Sequence, residues 1–288
     1  MLAQLAVAIA DGPTTLRALA ILRHQPDLFG SVASTATLWR TLRALKAPRL
    51  DRVAQTRVAA RRAAWAAGLD LRFYMVDIDG TLVTSPSDKE GAAPTYKRGD
   101  GFYPLVATLD ATGDPLVALL RPGNAGSGTA TDHIAVWDAA LAQLPVDPTA
   151  GSVIVRTDSA GCSHAFLDDC ADRHVGFTVG HPFPMEIAAA VVDRRGLRWE
   201  PAITTDGTAE QDVGEMAEVT PYGDLSGWAP GSRRIVGRER PHPGVQLPFT
   251  DVHGTATHSA SPTSPTRTSR IWRRSTEAGT GVSRPSGP

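Results

Sequence analysis

The spacing of apolar residues changes near residue 71. Before that point apolar residues recur every three or four positions, which predicts amphipathic helices. After it, short apolar runs alternate with Gly, Asp and Pro turns, which predicts strands; the first three runs lie at 71–78, 101–109 and 115–120. The sequence therefore predicts a helical N-terminal region over 1–70, followed by a strand-rich region.

Two helices and two further strands complete the strand-rich region. Residues 131–144 have helical spacing and stop at Pro145, and a second helix is predicted at about 163–173. Strands are predicted at 152–158 and at about 174–179. The order over 71–180 is therefore β-β-β-α-β-α-β, an α/β fold on a mixed sheet.

The rest of the chain has weaker patterns. A helix is predicted at 182–192, and short strands are predicted around Gly and Pro turns at 199–203, 212–220 and 233–238. From residue 254 on, 14 of 35 residues are Ser or Thr and the apolar periodicity is lost. Such a segment buries too little apolar surface to fold, so we expect a disordered tail over 254–288.

The composition is that of a folded protein. The 288 residues are 42% hydrophobic and 20% charged, which is enough for a sizeable core. Apolar runs fall short of the roughly 20 residues of a membrane span, and the N-terminus does not resemble a secretory signal, so we expect a cytoplasmic protein with no membrane partner. The two cysteines, Cys162 and Cys170, are spaced unlike a zinc site.

Positive charge is concentrated near the N-terminus. Residues 1–75 contain eleven Arg or Lys and four Asp, a net charge of +7, whereas the whole chain has a net charge of −1. A basic segment of this size can contact nucleic-acid phosphates. Residues 34–42 have the pattern of a short capped helix, as in a helix-turn-helix, and a small helical bundle with solvated arginines fits the same pattern.

Aspartates mark the ends of two predicted strands. Asp77 and Asp79 lie two positions apart on the first strand, just before Gly80, and Asp158 ends the fourth. Residues two apart on a strand face the same side, and Mg²⁺ prefers carboxylate oxygens. If these strands are neighbours, Asp79 and Asp158 meet at one sheet edge, where two Mg²⁺ ions could support phosphodiester chemistry. Alternatively, the aspartates only cap the turns that follow them.

Five motifs follow one another within roughly residues 1–253. They are V-D-I-D-G-T-L-V (76–83), K-E-G-A-A-P-T-Y-K-R-G-D-G-F-Y-P-L (89–105), L-L-R-P-G-N-A-G-S-G-T-A-T-D-H-I (119–134), V-R-T-D-S-A-G (155–161) and R-E-R-P-H-P-G-V-Q-L (238–247). Together they resemble the DDE transposases of bacterial insertion sequences, in particular insertion-sequence family 1380.

The resemblance implies an RNase H-like catalytic core over 71–180 and a β-rich insertion over 181–253. It implies DNA strand cleavage and transfer with Mg²⁺ or Mn²⁺ held by two Asp and one Glu. Asp79 takes the first of these positions and Asp158 the second, with Asp77 as a helper whose role is not separable from theirs. The implied partners are the terminal inverted repeats of the element and its target DNA, bound by a homodimer.

Basic and aromatic side chains between the two aspartates fit a DNA role. Four cations are predicted on loops that leave the same sheet, where they could contact the DNA backbone: Lys89, Lys97, Arg98 and Arg121. Tyr96 and Phe102 could stack on an unpaired base near the cut. Each of these residues could equally be an ordinary surface charge or core aromatic.

The third acid of the family has no counterpart here. In the family it stands on a late helix within an Arg-rich pattern that this sequence lacks. With GC-rich codons, a one-base frame shift over Arg270–Val282 can encode D-L-E-A-Q-H-R-G-R-D-R-C-E, ending in that acid, and one over Gly254–His258 can encode H-R-Y-T. We therefore expect a frameshift near codons 253–255 and a truncated transposase that is inactive or impaired. Glu239, among arginines on a predicted strand, is a poor substitute.

Two other functions fit part of the sequence. Asp77–Thr81 match the D-x-D-G-T signature of haloacid-dehalogenase-like phosphatases, in which the first Asp is the nucleophile and the second the general acid. That fold also needs a downstream lysine, and this chain has no lysine after Lys97. The other alternative is a non-catalytic DNA-binding fragment of a transposase.

Overall fold

The chain forms two compact units, Met1–Ala66 and Ala67–Pro288. The computed structural model describes residues 2–10, 12, 15–68, 71, 73–85, 89–126, 129–181, 187, 197–201, 215–239 and 256–263. The division lies close to residue 70, where the sequence changes from helical to strand spacing.

The N-terminal unit is helical. Its α-helices are α1 (Leu2–Ala10), α2 (Pro26–Phe29), α3 (Thr35–Arg43) and α4 (Ala47–Ala66), and a 3-10 helix spans Leu16–His24. The Ser34 side chain accepts a hydrogen bond from the Thr37 backbone N–H at 3.2 Å, which caps α3 where the sequence predicts a capped helix. Four residues form the buried core of the unit: Ala8, Leu19, Leu22 and Leu38.

In its described residues, the second unit contains three sheets, and the bounds of two α-helices are defined. Its strands are β1 (Tyr74–Gly80), β2 (Val83–Thr84), β3 (Ala93–Pro94), β4 (Asp100–Phe102), β5 (Leu105–Leu109), β6 (Asp114–Leu119), β7 (Val153–Thr157), β8 (Gly176–Val179), β9 (Glu200–Pro201), β10 (Glu215–Glu218), β11 (Arg233–Glu239) and β12 (Ala256–Thr263). The helices are α5 (Ala130–Leu141) and α6 (His164–Asp172).

The largest sheet has five strands in the order β6-β5-β1-β7-β8. β1 is antiparallel to β5 and parallel to β7, and β8 extends the parallel half. The first and fourth predicted strands are therefore neighbours. The predicted mixed α/β fold, with helices at the N-terminus, is confirmed.

The two helices of the second unit pack on this sheet and on each other. α5 lies against β1, β5 and β6, whereas α6 lies against β8. Trp137 of α5 and Phe166 of α6 are fully buried, and burying side chains of this size stabilises the contact strongly. Arg173 links the helices through Asp138 at 2.7 Å and Asp169 at 2.9 Å. The central strand β1 is thereby covered by α5, which α6 supports.

The predicted strand over 101–109 is wrong, because the chain forms two strands there. Pro104 has no N–H for a sheet ladder, and the Tyr103 N–H instead donates to the Arg121 carbonyl at 2.9 Å. β4 consequently joins a small sheet in the order β2-β4-β3. Gly101 permits this, since a Cβ there would lie 2.3 Å from the Val83 carbonyl oxygen.

The third sheet, ordered β12-β11-β10-β9, contains the short strands of the predicted insertion. β9, β10 and β11 overlap the strands predicted at 199–203, 212–220 and 233–238. β12 lies in the tail that we expect to be disordered. Strand pairing uses backbone groups, so a Ser/Thr-rich segment can pair with β11 without an apolar face. Apart from Ile187, the helix predicted at 182–192 lies outside the described residues.

None of the helices in the described ranges has the length and apolar character that crossing a bilayer requires.

Candidate active site

Asp79 and Asp158 come together at one edge of the central sheet. The last register pair of the parallel strands β1 and β7 joins Ile78 to Thr157. Asp79 and Asp158 are the next residue of each strand, and both remain exposed. The structure thus brings together the two acids that the strand ends single out.

The pair is electrostatically unfavourable by itself. Partial burial raises the pKa of Asp79, and the negative charge of Asp158 raises it further, while the Gly80 backbone N–H opposes the shift. Two carboxylates at close range repel each other unless a proton or a cation lies between them. The donor set therefore fits a divalent cation with a preference for oxygen.

Asp158 also caps the turn that follows it. Its Oδ1 accepts a hydrogen bond from the Ala160 N–H at 2.9 Å, at the start of a 3-10 helix over Ser159–Gly161. The interpretation of Asp158 as a cap is therefore correct. Because the cap uses one oxygen and fixes the side chain, it is compatible with a ligand role for the other oxygen.

Gly180 holds the Asp158 turn against the end of β8. A Cβ at position 180 would lie 2.9 Å from the Ser159 nitrogen and 3.2 Å from the Asp158 carbonyl carbon. Neither atom belongs to a flexible side chain, so a larger residue must shift the backbone that carries Asp158.

Gly180→Ala is therefore expected to weaken Mn²⁺ binding by about tenfold, equivalent to about 1.4 kcal/mol. Calorimetric titration with Mn²⁺ measures this change. Gly99→Ala is the matched control, since a Cβ at Gly99 meets nothing within 4 Å. Equal Mn²⁺ affinity in both variants would show that the Asp158 turn tolerates the shift.

Asp77 has a different partner from the one that the sequence suggests. Arg156 donates to both of its oxygens, from Nε to Oδ1 at 2.6 Å and from Nη2 to Oδ2 at 2.5 Å. The same Nη2 donates to Asp110 Oδ1 at 3.0 Å. Since both Asp77 oxygens face a buried guanidinium, the expected role of Asp77 as a helping metal ligand is not supported.

The contact with Arg156 offsets only part of what raises the pKa of Asp77. Its pKa is raised overall: burial is the largest cause, the Arg156 hydrogen bond and charge lower the pKa, and the charges of Asp110 and Asp79 raise it again. Arg156 itself is 5% exposed. The residues form a charged layer directly below the Asp79–Asp158 edge, because positions 77 and 156 are register partners.

Tyr103 lies beside the acid pair and was missed at the sequence level. A Cβ at Gly80 would lie 2.7 Å from the Tyr103 hydroxyl oxygen, so the ring closely covers the residue after Asp79. Burial raises the pKa of Tyr103, as do the charges of Asp158 and Asp79, while Arg121 lowers it. The only sequence signal is its place in the motif that ends in F-Y-P-L.

The expectation that Arg121 is an exposed cation on a loop is wrong. It is 4% exposed, because Nε donates to the Tyr103 carbonyl and Nη1 donates to the Gly126 carbonyl and Asp132 Oδ2, each at 3.1 Å. Its guanidinium carbon lies 5.2 Å from the centre of the Tyr103 ring. Arg121 therefore supports Tyr103 from within the fold, and its position does not suit contact with a DNA backbone.

The other three predicted cations are exposed. Lys89 precedes β3, and Lys97 and Arg98 lie in the turn between β3 and β4. Lys97 Nζ stands 5.7 Å from the ring centre of Tyr96, a residue that is 73% exposed. Since Tyr96 contributes to the raised pKa of Tyr103, this turn lies near the acid pair. Phe102 is half-buried in β4.

Within the described ranges, no group of three or more His, Cys, Asp or Glu is placed to hold a metal ion. The edge supplies two carboxylates from the described chain. Glu239, the substitute acid considered above, ends β11 in the third sheet, as the sequence predicts for a strand residue.

Comparison with known proteins gives the family. The model of the family described as "Transposase DDE domain group 1" matches residues 1–269. The chain belongs to this transposase family. The match includes both Asp79 and Asp158 and extends past residue 253, where the motif resemblance ends. No curated protein matches the transposase chain.

One solved structure similar to the transposase chain is a cryo-EM structure of the piggyBac transposase synaptic complex with hairpin DNA. The similarity has a TM-score of 0.37 and 10% identity, and it covers 65% of this chain and 32% of that one. The transposase chain thus corresponds to about a third of the length of that protein.

Proposed function

We propose that Asp79 and Asp158 hold Mg²⁺ or Mn²⁺ and that this edge carries out the DNA strand cleavage and transfer of an insertion-sequence transposase. Family membership supports the reaction class. The observation that carries the proposal is the register of β1 and β7, which sets two mutually repelling carboxylates side by side. A bound cation would activate a water or a 3′-hydroxyl and stabilise the leaving oxygen.

The DNA partner in this proposal is a terminal inverted repeat of the element, followed by target DNA. The exposed Lys89, Lys97 and Arg98 neutralise backbone phosphates near the acid pair. The basic N-terminal unit supplies further phosphate contacts, and a homodimer assembled on the DNA in the cytoplasm completes the proposal. The insertion-sequence family 1380 is the subgroup that the motifs favour.

The proposal includes an impaired third position. The sequence lacks the Arg-rich pattern in which the third acid of the family stands, and the described residues place two acids at the edge. We attribute this to a frameshift near codons 253–255. The nucleotide sequence of the gene tests the attribution: a frame that does not encode a Glu-bearing helix after the shift would contradict it.

The phosphatase alternative conflicts with the geometry. It requires Asp77 as a free nucleophile, yet both oxygens of Asp77 accept hydrogen bonds from Arg156. The family match also favours a transposase. Turnover of a phosphomonoester that is lost in Asp77→Asn would reverse this preference.

The decisive experiment compares Mn²⁺ binding in the wild type and in Asp79→Asn and Asp158→Asn. We expect saturable Mn²⁺ binding in the wild type and at least about a 100-fold loss of affinity in each variant, because each removes a charged ligand. Asp172→Asn, an exposed carboxylate at the end of α6, should bind like the wild type. Mn²⁺ binding that survives in both site variants would exclude the proposed centre.

A cleavage assay then separates the enzyme from a non-catalytic fragment. The substrate is duplex DNA that carries the inverted repeats flanking the gene, incubated with Mn²⁺. We expect cleavage from a chain in which the reading frame is restored, and little or none from the present chain. A frame-restored chain that binds this DNA without cutting it would favour the fragment.

A further inference from the structure

The hydroxyl of Tyr103 lies near the acid pair: burial raises the pKa of the phenol, and the negative charges of the pair raise it further. The absence of a side chain at Gly80 lets the phenol reach the end of β1, where a Cβ would stand 2.7 Å from both the hydroxyl oxygen and the adjoining ring carbon. The hydroxyl makes no hydrogen bond to the residues that the structure describes. It is therefore a hydrogen-bonding group without a partner among the described residues, close to the two acids.

Arg121 holds the backbone of Tyr103, and its guanidinium carbon lies 5.2 Å from the centre of the Tyr103 ring. The Tyr103 N–H donates to the Arg121 carbonyl at 2.9 Å, and Arg121 Nε donates back to the Tyr103 carbonyl at 3.1 Å. Asp132 of α5 then holds the guanidinium at 3.1 Å. A tyrosine whose backbone and ring both contact a buried arginine has little freedom to move, so its hydroxyl is preorganised.

We propose that Tyr103 is a substrate-contacting residue, whose hydroxyl donates a hydrogen bond to a non-bridging oxygen of the DNA phosphate held at the Asp79–Asp158 edge. The inference rests on the proposed function and adds a specific DNA contact to it. Arg121 is a positioning residue in this arrangement, since it acts through Tyr103.

The chemistry of the edge favours donation to phosphate over metal ligation. A phenol has an ordinary pKa of about 10 and so carries its proton at neutral pH, and a protonated phenol is a weak ligand for Mg²⁺ but a good donor to an anion. A phosphate that approaches two carboxylates is repelled by them, so a nearby donor lowers the cost of its approach. Tyr103 is an uncommitted donor among the described residues, and its position beside Gly80 meets this need.

The test measures DNA affinity in Ca²⁺ and, separately, Mn²⁺ affinity without DNA. The DNA probe is a fluorescent duplex of the flanking inverted repeats. We expect Tyr103→Phe to bind this DNA about 10- to 100-fold more weakly, the loss typical of one hydrogen bond to a charged oxygen, and to bind Mn²⁺ like the wild type. Tyr222→Phe, in the third-sheet region, is the matched control and should behave like the wild type in both measurements.

A second variant keeps the hydroxyl but moves it. Gly80→Ala places a methyl group where the ring now lies, so it should reproduce the loss of DNA affinity. DNA affinity that is unchanged in Tyr103→Phe would overturn the inference, and so would a parallel loss of Mn²⁺ affinity, which would make Tyr103 a support for the acids. A wild type without Asp79-dependent Mn²⁺ binding would overturn the proposed function and this inference together. If only the inference fails, Asp79-dependent Mn²⁺ binding remains, so the two failures are distinguishable.

Discussion

Arg156→Met is expected to lower the free energy of unfolding by about 3–5 kcal/mol, the usual cost of leaving buried charges without their partner. Arg156 is 5% exposed and binds Asp77 and Asp110, whose side chains are 26% and 18% exposed. Without the guanidinium, two carboxylates face each other inside the sheet. Urea denaturation monitored by circular dichroism measures the loss.

The matched control is the same substitution at Arg233. Arg233 also forms a two-point ion pair, with Glu218, but the two side chains are 35% and 44% exposed. Exposed ion pairs contribute about 0–1 kcal/mol, so Arg233→Met should be nearly neutral. Equal destabilisation by the two substitutions would show that burial does not set the value of the Arg156 cluster.

The destabilisation caused by Arg156→Met should depend on pH. Burial raises the pKa of Asp77 in the folded protein, so its protonation favours folding below its ordinary pKa, and this contribution is lost as the pH rises through the raised value. Arg156 opposes that shift in the wild type. The deficit of Arg156→Met should therefore grow from acidic to neutral pH, and unfolding measured at several pH values would show it.

Divalent cations are expected to stabilise the wild type by about 2.7 kcal/mol at a concentration 100 times the dissociation constant. This gain should vanish in Asp79→Asn and Asp158→Asn, because each variant loses a ligand. The metal-free variants should themselves melt at a higher temperature than the metal-free wild type, since each substitution removes the repulsion that raises the pKa of Asp79.

Thermal melts in EDTA and in Mn²⁺ check both parts of this expectation. The stability of the metal-free wild type should depend on pH because folding raises the pKa of Asp79. Asp79 therefore contributes favourably to the free energy of unfolding below its ordinary pKa, and this contribution is lost as the pH rises through the raised value. The melting temperature of the metal-free wild type should thus approach that of the variants as the pH falls. Asp172→Asn controls for the loss of a surface carboxylate, and variants that still respond to Mn²⁺ would disprove the linkage.

The meeting of Asp79 and Asp158 could be predicted from sequence, because it requires only that two apolar strands ending in Asp be parallel neighbours. The partner of Asp77 could also be predicted from sequence. A register that places 79 beside 158 places 77 beside 156, and residue 156 is an arginine. The motif V-R-T-D thus held both the acid of the edge and the cation below it.

Tyr103 and Arg121 could not be placed from sequence in the same way. Their position depends on Pro104 ending one strand pairing, and on Gly80 and Gly101 admitting groups that a Cβ would exclude. Such contacts join segments far apart in the chain and leave no periodic signal. The same limit applies to β12, whose pairing with β11 uses backbone groups common to every sequence.

Strands β1 and β7 carry two levels of carboxylates with different counterions. The inner level has a permanent counterion, Arg156, and the outer level, Asp79 and Asp158, has an exchangeable one in the proposed function. The guanidinium of Arg156 is tied to the polypeptide, so dialysis or chelation cannot remove the positive charge that the inner carboxylates require. An ion at the outer level has no such tether. Under the proposed function, the fold would accordingly lose and regain a metal without releasing the strands that carry Asp79 and Asp158.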